Sequence, residues 1–385
     1  MDSLDLHRSL FPYLSTGLVY LNHAATSPLS TNVVAAMQLH LELRSEGPIE
    51  LYQNDVKLLP RLRGQVRDLI NAESPDRIAL FSNTSDGLNM IVSGLVWRQG
   101  ERVLLNDMEF PANVYPYIGL KRQGVEIDML ACPDGTISPE MIERAITPRT
   151  RVVALSAVQF LTGFRADLSA IGEMCRRKGI LFFVDGIQAV GATTVDVQTM
   201  KIDMMSAGSQ KWQMGPQGTG FLYVSERVQE MVDQHSIGWL SVQTPWNFRD
   251  FAQPLAASAR RYEGGTLNFI GLKGMNAALG TLLETGPKRI EERILHLTDH
   301  LTRGLDEVGE VSLISPREEE HRAGIVTFGV GTPERAQSVF DALTKERVMI
   351  SLREGLLRVS PHFYNTEEEL EKCLELLRRS LANML

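Results

Sequence analysis

The amino-acid sequence predicts an α/β fold: a large unit with a mostly parallel, seven-stranded sheet between helices, followed by a smaller α+β unit. Three observations carry this expectation. Between about Arg77 and Val224, short β-rich runs alternate with helical patterns, the signature of βαβ units around a parallel sheet. Several of those runs are apolar throughout, above all Ile180-Leu181-Phe182-Phe183-Val184, as strands are when helices cover both faces. After Gly264-Gly265 the texture changes to longer, amphipathic helical patterns.

The predicted sheet strands are Arg77–Phe81, Arg102–Asn106, Val125–Leu130, Arg151–Ser156, Ile180–Asp185, Asp203–Ala207 and Gly218–Val224. The fifth puts Asp185 at a strand's C-terminal end, where open α/β sheets bind their ligands. Helical patterns then cover Leu272–Glu284 and Lys288–Val308. The strands Gly324–Gly329, Val348–Leu352 and Leu356–Ser360 complete the second unit, with helices over Pro333–Glu346 and from Thr366 onwards. This divides the chain into a large domain over 18–267 and a small one over 268–385, with the segment 1–17 packing on the latter. No internal repeat, low-complexity tract or Pro/Ser-rich linker separates them.

At 385 residues, 43% hydrophobic and 22% charged, the chain is long enough for about two domains and too apolar for disorder. A net charge of −8 removes the electrostatic ground for nucleic acid or an anionic membrane as main partner. Cys132, Cys175 and Cys373 are odd in number and far apart, without metal-binding or redox spacing, so no metal site is predicted and a reduced, cytoplasmic setting is. The first residues are acidic where a signal peptide is basic, and no apolar run is long enough to span a membrane. A nucleotide-binding α/β enzyme is the rival on fold alone. The first strand–helix junction lacks GxGxxG, however, and GxxxxGK[ST] occurs nowhere.

The chemistry concentrates in Val184-Asp185-Gly186-Ile187-Gln188, followed by Ser209-Gln210-Lys211-Trp212, whose lysine stands 26 positions after Asp185, and by the glycine-rich Gly215-Pro216-Gln217-Gly218-Thr219-Gly220. A carboxylate and an amine delivered from neighbouring strand ends can grip opposite sides of one planar cofactor. Taken singly, each has a plainer reading: a strand-end aspartate is often a helix N-cap, and a loop lysine is usually solvated. Phe81-Ser82-Asn83-Thr84-Ser85-Asp86-Gly87 offers hydroxyls and N–H groups at a helix start, which suits a phosphate or a simple cap.

This constellation resembles the class V aminotransferase family, fold-type I pyridoxal phosphate enzymes that include cysteine desulfurases, selenocysteine lyases, kynureninase and isopenicillin N epimerase-like proteins. The likeness runs from Tyr20-Leu21-Asn22-His23-Ala24-Ala25 to Arg358-Val359-Ser360. It implies pyridoxal 5′-phosphate as cofactor, Lys211 as the Schiff-base lysine and Asp185 as partner of the pyridinium nitrogen. A protonated ring nitrogen makes the cofactor an electron sink. The resemblance further implies that Gln188 contacts the phenolic oxygen and that Thr84 and Ser85 bind phosphate. Phe110, in Glu109-Phe110-Pro111-Ala112-Asn113, takes the stacking position where desulfurases have histidine. Gln210 stands where many relatives have histidine before the lysine; it can donate to phosphate but carries no positive charge. Thr266, in Gly264-Gly265-Thr266, implies a homodimer in which each subunit reaches the other's phosphate. Arg358 implies substrate-carboxylate binding, with His23 and Asn22 at the substrate mouth. Arg353 is either an assistant or a surface charge, and Gln159 or Phe160 occupies the place of an asparagine near the ring oxygen.

The implied activity is the transformation of an amino acid through an external aldimine, by transamination or by cysteine-type C–S β-elimination. Desulfurases attack the substrate sulfur with a loop cysteine shortly before the carboxylate-binding arginine. The stretch Ile350–Leu357 has none, and Cys373 falls in a helical pattern, so persulfide formation on the enzyme is disfavoured. The alternatives are an epimerase-like or kynureninase-like enzyme and, from another class, a catalytically retired fold serving as a binding module.

Overall fold

The computed structural model describes residues 7–384. Among these the strands, in chain order, are β1 (Val19–Tyr20), β2 (Ile78–Phe81), β3 (Arg102–Asn106), β4 (Glu126–Leu130), β5 (Thr150–Ser156), β6 (Leu181–Asp185), β7 (Met204–Gly208), β8 (Gly220–Val224), β9 (Ser312–Leu313), β10 (Val326–Gly329), β11 (Val348–Met349), β12 (Ser351–Arg353) and β13 (Leu356–Val359). The large sheet runs β2-β8-β7-β6-β5-β3-β4. Pairing is parallel from β7 through β6, β5 and β3 to β4, and β8 runs antiparallel to both neighbours. The mostly parallel, seven-stranded α/β architecture expected from the sequence is thus the one observed.

Strand alternation sorts the sheet's side chains into two cores. Leu104, Val153, Leu155, Phe182, Val184 and Met205 join the cluster on one face. Val103, Leu105, Val152, Leu181, Phe183 and Met204 join the cluster on the other. Both faces are therefore covered, which explains why these strands read as continuous apolar runs.

A third cluster holds Leu297, Leu301, Phe328, Val339, Leu357, Leu370 and Leu374 beneath the sheet β12-β13-β10-β9. The helix Phe269–Thr285, expected to open the second unit at 268, instead puts Leu272, Met275, Leu279 and Leu282 into the large sheet's core. The next helix, Pro287–Asp306, bridges: Ile290 and Ile294 join the large core, Leu297 and Leu301 the C-terminal one. Packing changes hands within that helix. The change in sequence texture at Gly264-Gly265 marks a loop rather than a change of core.

Residues 7–17 lie against the C-terminal unit. Arg8 donates from Nη1 to the Tyr364 carbonyl (2.7 Å) and from Nη2 to Glu369 (2.7 Å), and the Phe11 ring stacks on Tyr364 with centroids 3.8 Å apart. The first six residues of the predicted 1–17 segment lie outside the described residues. The predicted strand Val348–Leu352 is divided: β11 pairs parallel with β1, while β12 pairs antiparallel with β13.

Candidate active site

The C-terminal ends of β5, β6 and β7 form one edge of the large sheet, because Ser156 is the register partner of Asp185 and Asp185 of Ser206. Asp185 is buried, its Oδ1 accepting from the Ile187 N–H at 2.9 Å in the turn that follows the strand. Lys211 stands three residues beyond β7. Both groups are held away from their ordinary ionisation. Burial pushes the Asp185 carboxyl up, with a further push from Glu109, against the Ile187 N–H and Lys211. Burial likewise pulls the Lys211 amine down, aided by Arg358 and Arg353 and opposed by Asp185. A carboxyl and an amine so placed sense each other's charge inside one low-dielectric site.

Lys211 faces a cavity of about 700 Å³, whose wall includes Phe110, Gln159, Gln188, Arg353 and Arg358. The Lys211 ammonium lies 5.9 Å from the Phe110 ring centroid, and Phe110 meets Phe160 edge to face at 5.3 Å. Arg358, 2% exposed, comes from β13, an inner strand of the four-stranded C-terminal sheet. It donates to the Phe160 carbonyl and, at 3.5 Å, to Ser351 Oγ, while its Nε has no partner. Among the described residues no carboxylate pairs with it. A buried guanidinium without an anion is a site for one.

Other expected site residues fall elsewhere. Thr84 opens the helix Thr84–Gly94, but its hydroxyl accepts from the Gly208 N–H at 2.9 Å, tying that helix start to the end of β7. Ser85 follows it, half-buried. Gln188 reaches the cavity with its amide already engaged: Nε2 donates to the Ala24 carbonyl (3.1 Å) and Oε1 accepts from Trp212 Nε1 (2.8 Å). Gln210 is not among the cavity residues, and its carbonyl accepts from Ser27 N at 2.8 Å. Thr266 is exposed and lines a separate cavity of about 480 Å³ with Ser82 and Asp86.

His23 corrects an expectation. It is fully buried and does not line the cavity; Nδ1 bonds the Ser360 carbonyl (3.0 Å) and Nε2 the Tyr364 hydroxyl (2.8 Å). With both ring nitrogens committed, it joins the N-terminal segment to the C-terminal unit. Asn22 is also off the cavity wall. Its Oδ1 accepts from Ser351 Oγ at 2.5 Å, and that same hydroxyl meets Arg358, so Asn22 acts on the arginine through Ser351.

Two residues at the site went unassigned in the sequence. Trp212, fully buried, fixes the Gln188 amide; its only signal is adjacency to Lys211. Glu109, next to Phe110, is buried among five donors contributed by residues between 106 and 159, a convergence no local pattern reveals.

An amine, an aromatic wall and an arginine without a carboxylate partner line one cavity, and Asp185, which is not on the cavity wall, senses the amine from the sheet edge behind it, an arrangement suited to a planar, amine-reactive cofactor. The chain belongs to the class-V aminotransferase family, whose pattern matches residues 19–373. An uncharacterized aminotransferase of Bacillus subtilis is 28% identical over 96% of both chains. A probable cysteine desulfurase of Methanothermobacter thermautotrophicus is 28% identical over 93% of this chain and 94% of its own. Among solved structures, the cysteine desulfurase of Thermococcus onnurineus superposes with a TM-score of 0.88 at 25% identity, covering 98% of each chain. A cystine C–S lyase in complex with its product cysteine persulfide superposes with a TM-score of 0.87 at 25% identity, covering 96% of this chain and 99% of the other.

The cofactor is pyridoxal 5′-phosphate. The residues present fit it: an amine for the aldehyde, a buried acid for the ring nitrogen and a phenylalanine face at the cavity wall. Among the described residues, no helix is long and apolar enough to cross a membrane, and no His/Cys/Asp/Glu group could hold a metal ion.

Proposed function

We propose that the protein transforms an amino acid at its Cα, with Lys211 as the Schiff-base lysine, and ends in cysteine-type C–S β-elimination or in transamination. One observation carries the reading: the Lys211 amine and the unpaired Arg358 guanidinium line the same cavity, with the Asp185 carboxyl sensing the amine from the sheet edge.

When bound, the cofactor supplies an electron sink for the charge left at Cα. The chain's own residues do the rest. Arg358 takes the substrate carboxylate in a charge-assisted pair, held in orientation by Ser351 and Asn22. Lys211, whose amine is pulled down by burial, is partly uncharged near neutrality and moves the Cα proton. Asp185 holds the proton on the ring nitrogen. Phe110, on the cavity wall near Lys211, would stack on the ring and has no group with which to transfer a proton. Thr84 and Ser85, at the start of a helix, would hold the phosphate, and Thr266 would reach the phosphate bound by a second subunit.

Persulfide formation on the enzyme is disfavoured by the placement of its thiols. Where a loop cysteine would stand, β12 and β13 close directly through Glu354 and Gly355, both at positive φ (50° and 75°), in a two-residue turn. Cys132, Cys175 and Cys373 are buried, and burial pushes each thiol up, to about 11, 12 and 12 respectively. The likeness to a cystine C–S lyase supports elimination; the aminotransferase relative supports amino-group exchange.

The test is to mix purified, cofactor-loaded protein with each common amino acid and with cystine, with and without a keto acid, and to identify products by mass. Pyruvate with a sulfur product means elimination, and exchange with the keto acid means transamination. Racemised substrate or an alanine product from side-chain cleavage would favour the epimerase-like or kynureninase-like alternatives. A cofactor band unaltered by any amino acid would leave only a retired binding module.

A further inference from the structure

Glu109 lies between β3 and the short helix Pro111–Asn113, at the cavity wall. Its Oε1 accepts from Asn106 Nδ2 (2.7 Å), the Ser156 N–H (2.7 Å) and Gln159 Nε2 (2.9 Å). Its Oε2 accepts from Asn113 Nδ2 (3.0 Å) and Ser156 Oγ (2.5 Å). Every contact is a neutral donor, the shell an ionised carboxylate takes, and no cation pairs with it among the described residues. A buried charge without a counter-charge is costly. The five donors need an acceptor, but a neutral one would answer them without that cost, so fold stability gives no reason for the charge itself.

Location does. Ser156, which supplies two of the five donors, is the register partner of Asp185, so the two carboxylates stand on adjoining strand ends. The groups facing Asp185 are Glu109, Lys211 and, from the helix Tyr115–Ile118, the buried Tyr117 phenol; Arg353 and Arg358 face Lys211 from the C-terminal sheet. Negative charge thus gathers at the sheet edge and positive charge at the opposite wall. Glu109 also chooses the orientation of Gln159. A flipped amide would set Gln159 Oε1 against the carboxylate, so the nitrogen faces Glu109 and Oε1 stays buried without a partner.

We infer that Glu109 is a positioning residue of this site, adding a second fixed negative charge behind Asp185 and locking the Gln159 amide at the cavity wall. The inference rests on the function proposed above only in what the two charges act upon: a cationic ring nitrogen beside Asp185 keeps its proton more firmly when both carboxylates are ionised.

Glu109→Gln separates charge from shape. The shell can accept the new amide, because Asn113 Oδ1 has no partner and can turn to receive an N–H, and Ser156 Oγ can rotate to do the same. The assay follows the Asp185 carboxyl by 13C NMR in cofactor-free protein labelled at the aspartate side-chain carbon, assigned with Asp185→Asn. The expected result is a fall in the Asp185 midpoint by on the order of one pH unit in Glu109→Gln, restored in large part by Glu109→Asp. An unchanged midpoint in folded Glu109→Gln overturns the inference. Should that variant not fold, Glu109→Leu, which removes the charge together with the polar shape, is read in the same assay, and an unchanged Asp185 midpoint there overturns the inference equally. A parallel titration of wild-type protein with pyridoxal 5′-phosphate, read by its visible band, keeps the two ideas apart. No binding would sink the proposed function while leaving the carboxylate coupling to stand or fall on the NMR alone.

Discussion

Acid should unfold this protein earlier than its carboxylates alone require, through two histidines that the fold keeps neutral. His362 is fully buried; its Nε2 donates to the Trp212 carbonyl (2.9 Å) and its Nδ1 accepts from the Phe363 N–H (2.8 Å). A second proton on that ring would point at an N–H and sit in an apolar core, and burial pulls the ring down to about 4. His23, with rings 5.2 Å apart from His362, is pulled down in the same direction by burial and by that neighbour. Above the unfolded value of about 6.5 neither ring affects stability. Below it the unfolded chain takes up protons that the native one refuses, so stability falls with pH until the folded value is reached. For His362, the interval from about 6.5 to about 4 amounts to roughly 3 kcal/mol at about 1.4 kcal/mol per pH unit. His23 adds to the loss. The assay is urea unfolding followed by near-UV circular dichroism at several pH values, comparing the wild type with His362→Gln. The variant shares every carboxylate, so the difference in pH dependence isolates the ring. It should start less stable at pH 7 and lose about 3 kcal/mol less than the wild type on the way to pH 4. Equally steep loss in both proteins would refute the buried neutral ring as the source.

Lys211→Ala should abolish the borohydride-fixed cofactor adduct seen by mass spectrometry, and an adduct retained on another lysine would overturn the assignment. Arg358→Ala should leave the visible band of the bound cofactor intact and weaken amino-acid binding about 100-fold, as loss of a desolvated charge pair does; the measurement is spectral titration with substrate. Phe110→Ala should weaken cofactor binding about tenfold by removing one aromatic face, read from the dissociation constant. Arg63→Met should cost roughly 3 kcal/mol in urea unfolding. It leaves Glu263, 3% exposed and bonded to the Leu80 N–H at 2.9 Å, without the guanidinium that meets it at 2.6 Å.

The elements that were legible in the sequence are those whose periodicity is local. Leu181–Asp185 reads as a strand because both of its faces are covered, and Pro333–Lys345 as a helix because one stripe is apolar. The helix Thr31–Ser45 carries no such signal. Val33 is buried while Leu39, Leu41 and Leu43 are exposed, so its apolar residues follow no single face. At the site, Asp185 and Lys211 are visible because each ends or follows a strand, and strand ends gather at one sheet edge. His23 looked like a substrate residue because its partner, the Tyr364 hydroxyl, lies 341 positions away. Nothing in Asn22-His23-Ala24 foretells that contact.

The same distinction explains which parts of the chemistry remain open to variation. On the proposed function, cofactor grip comes from the large sheet, through Asp185 at the end of β6 and Lys211 in the turn after β7. The charge that would meet a substrate comes from the other unit: Arg358 on β13 and Arg353 on β12 reach the cavity from a sheet with its own core. The two-residue turn at Glu354-Gly355 fixes how far that hairpin projects. A longer connection there could bring a nucleophile to the substrate; this one brings only charge. On that proposed function, the hairpin and Phe110 are the places where the reaction branch would be set, while the Lys211–Asp185 pair would serve every branch alike.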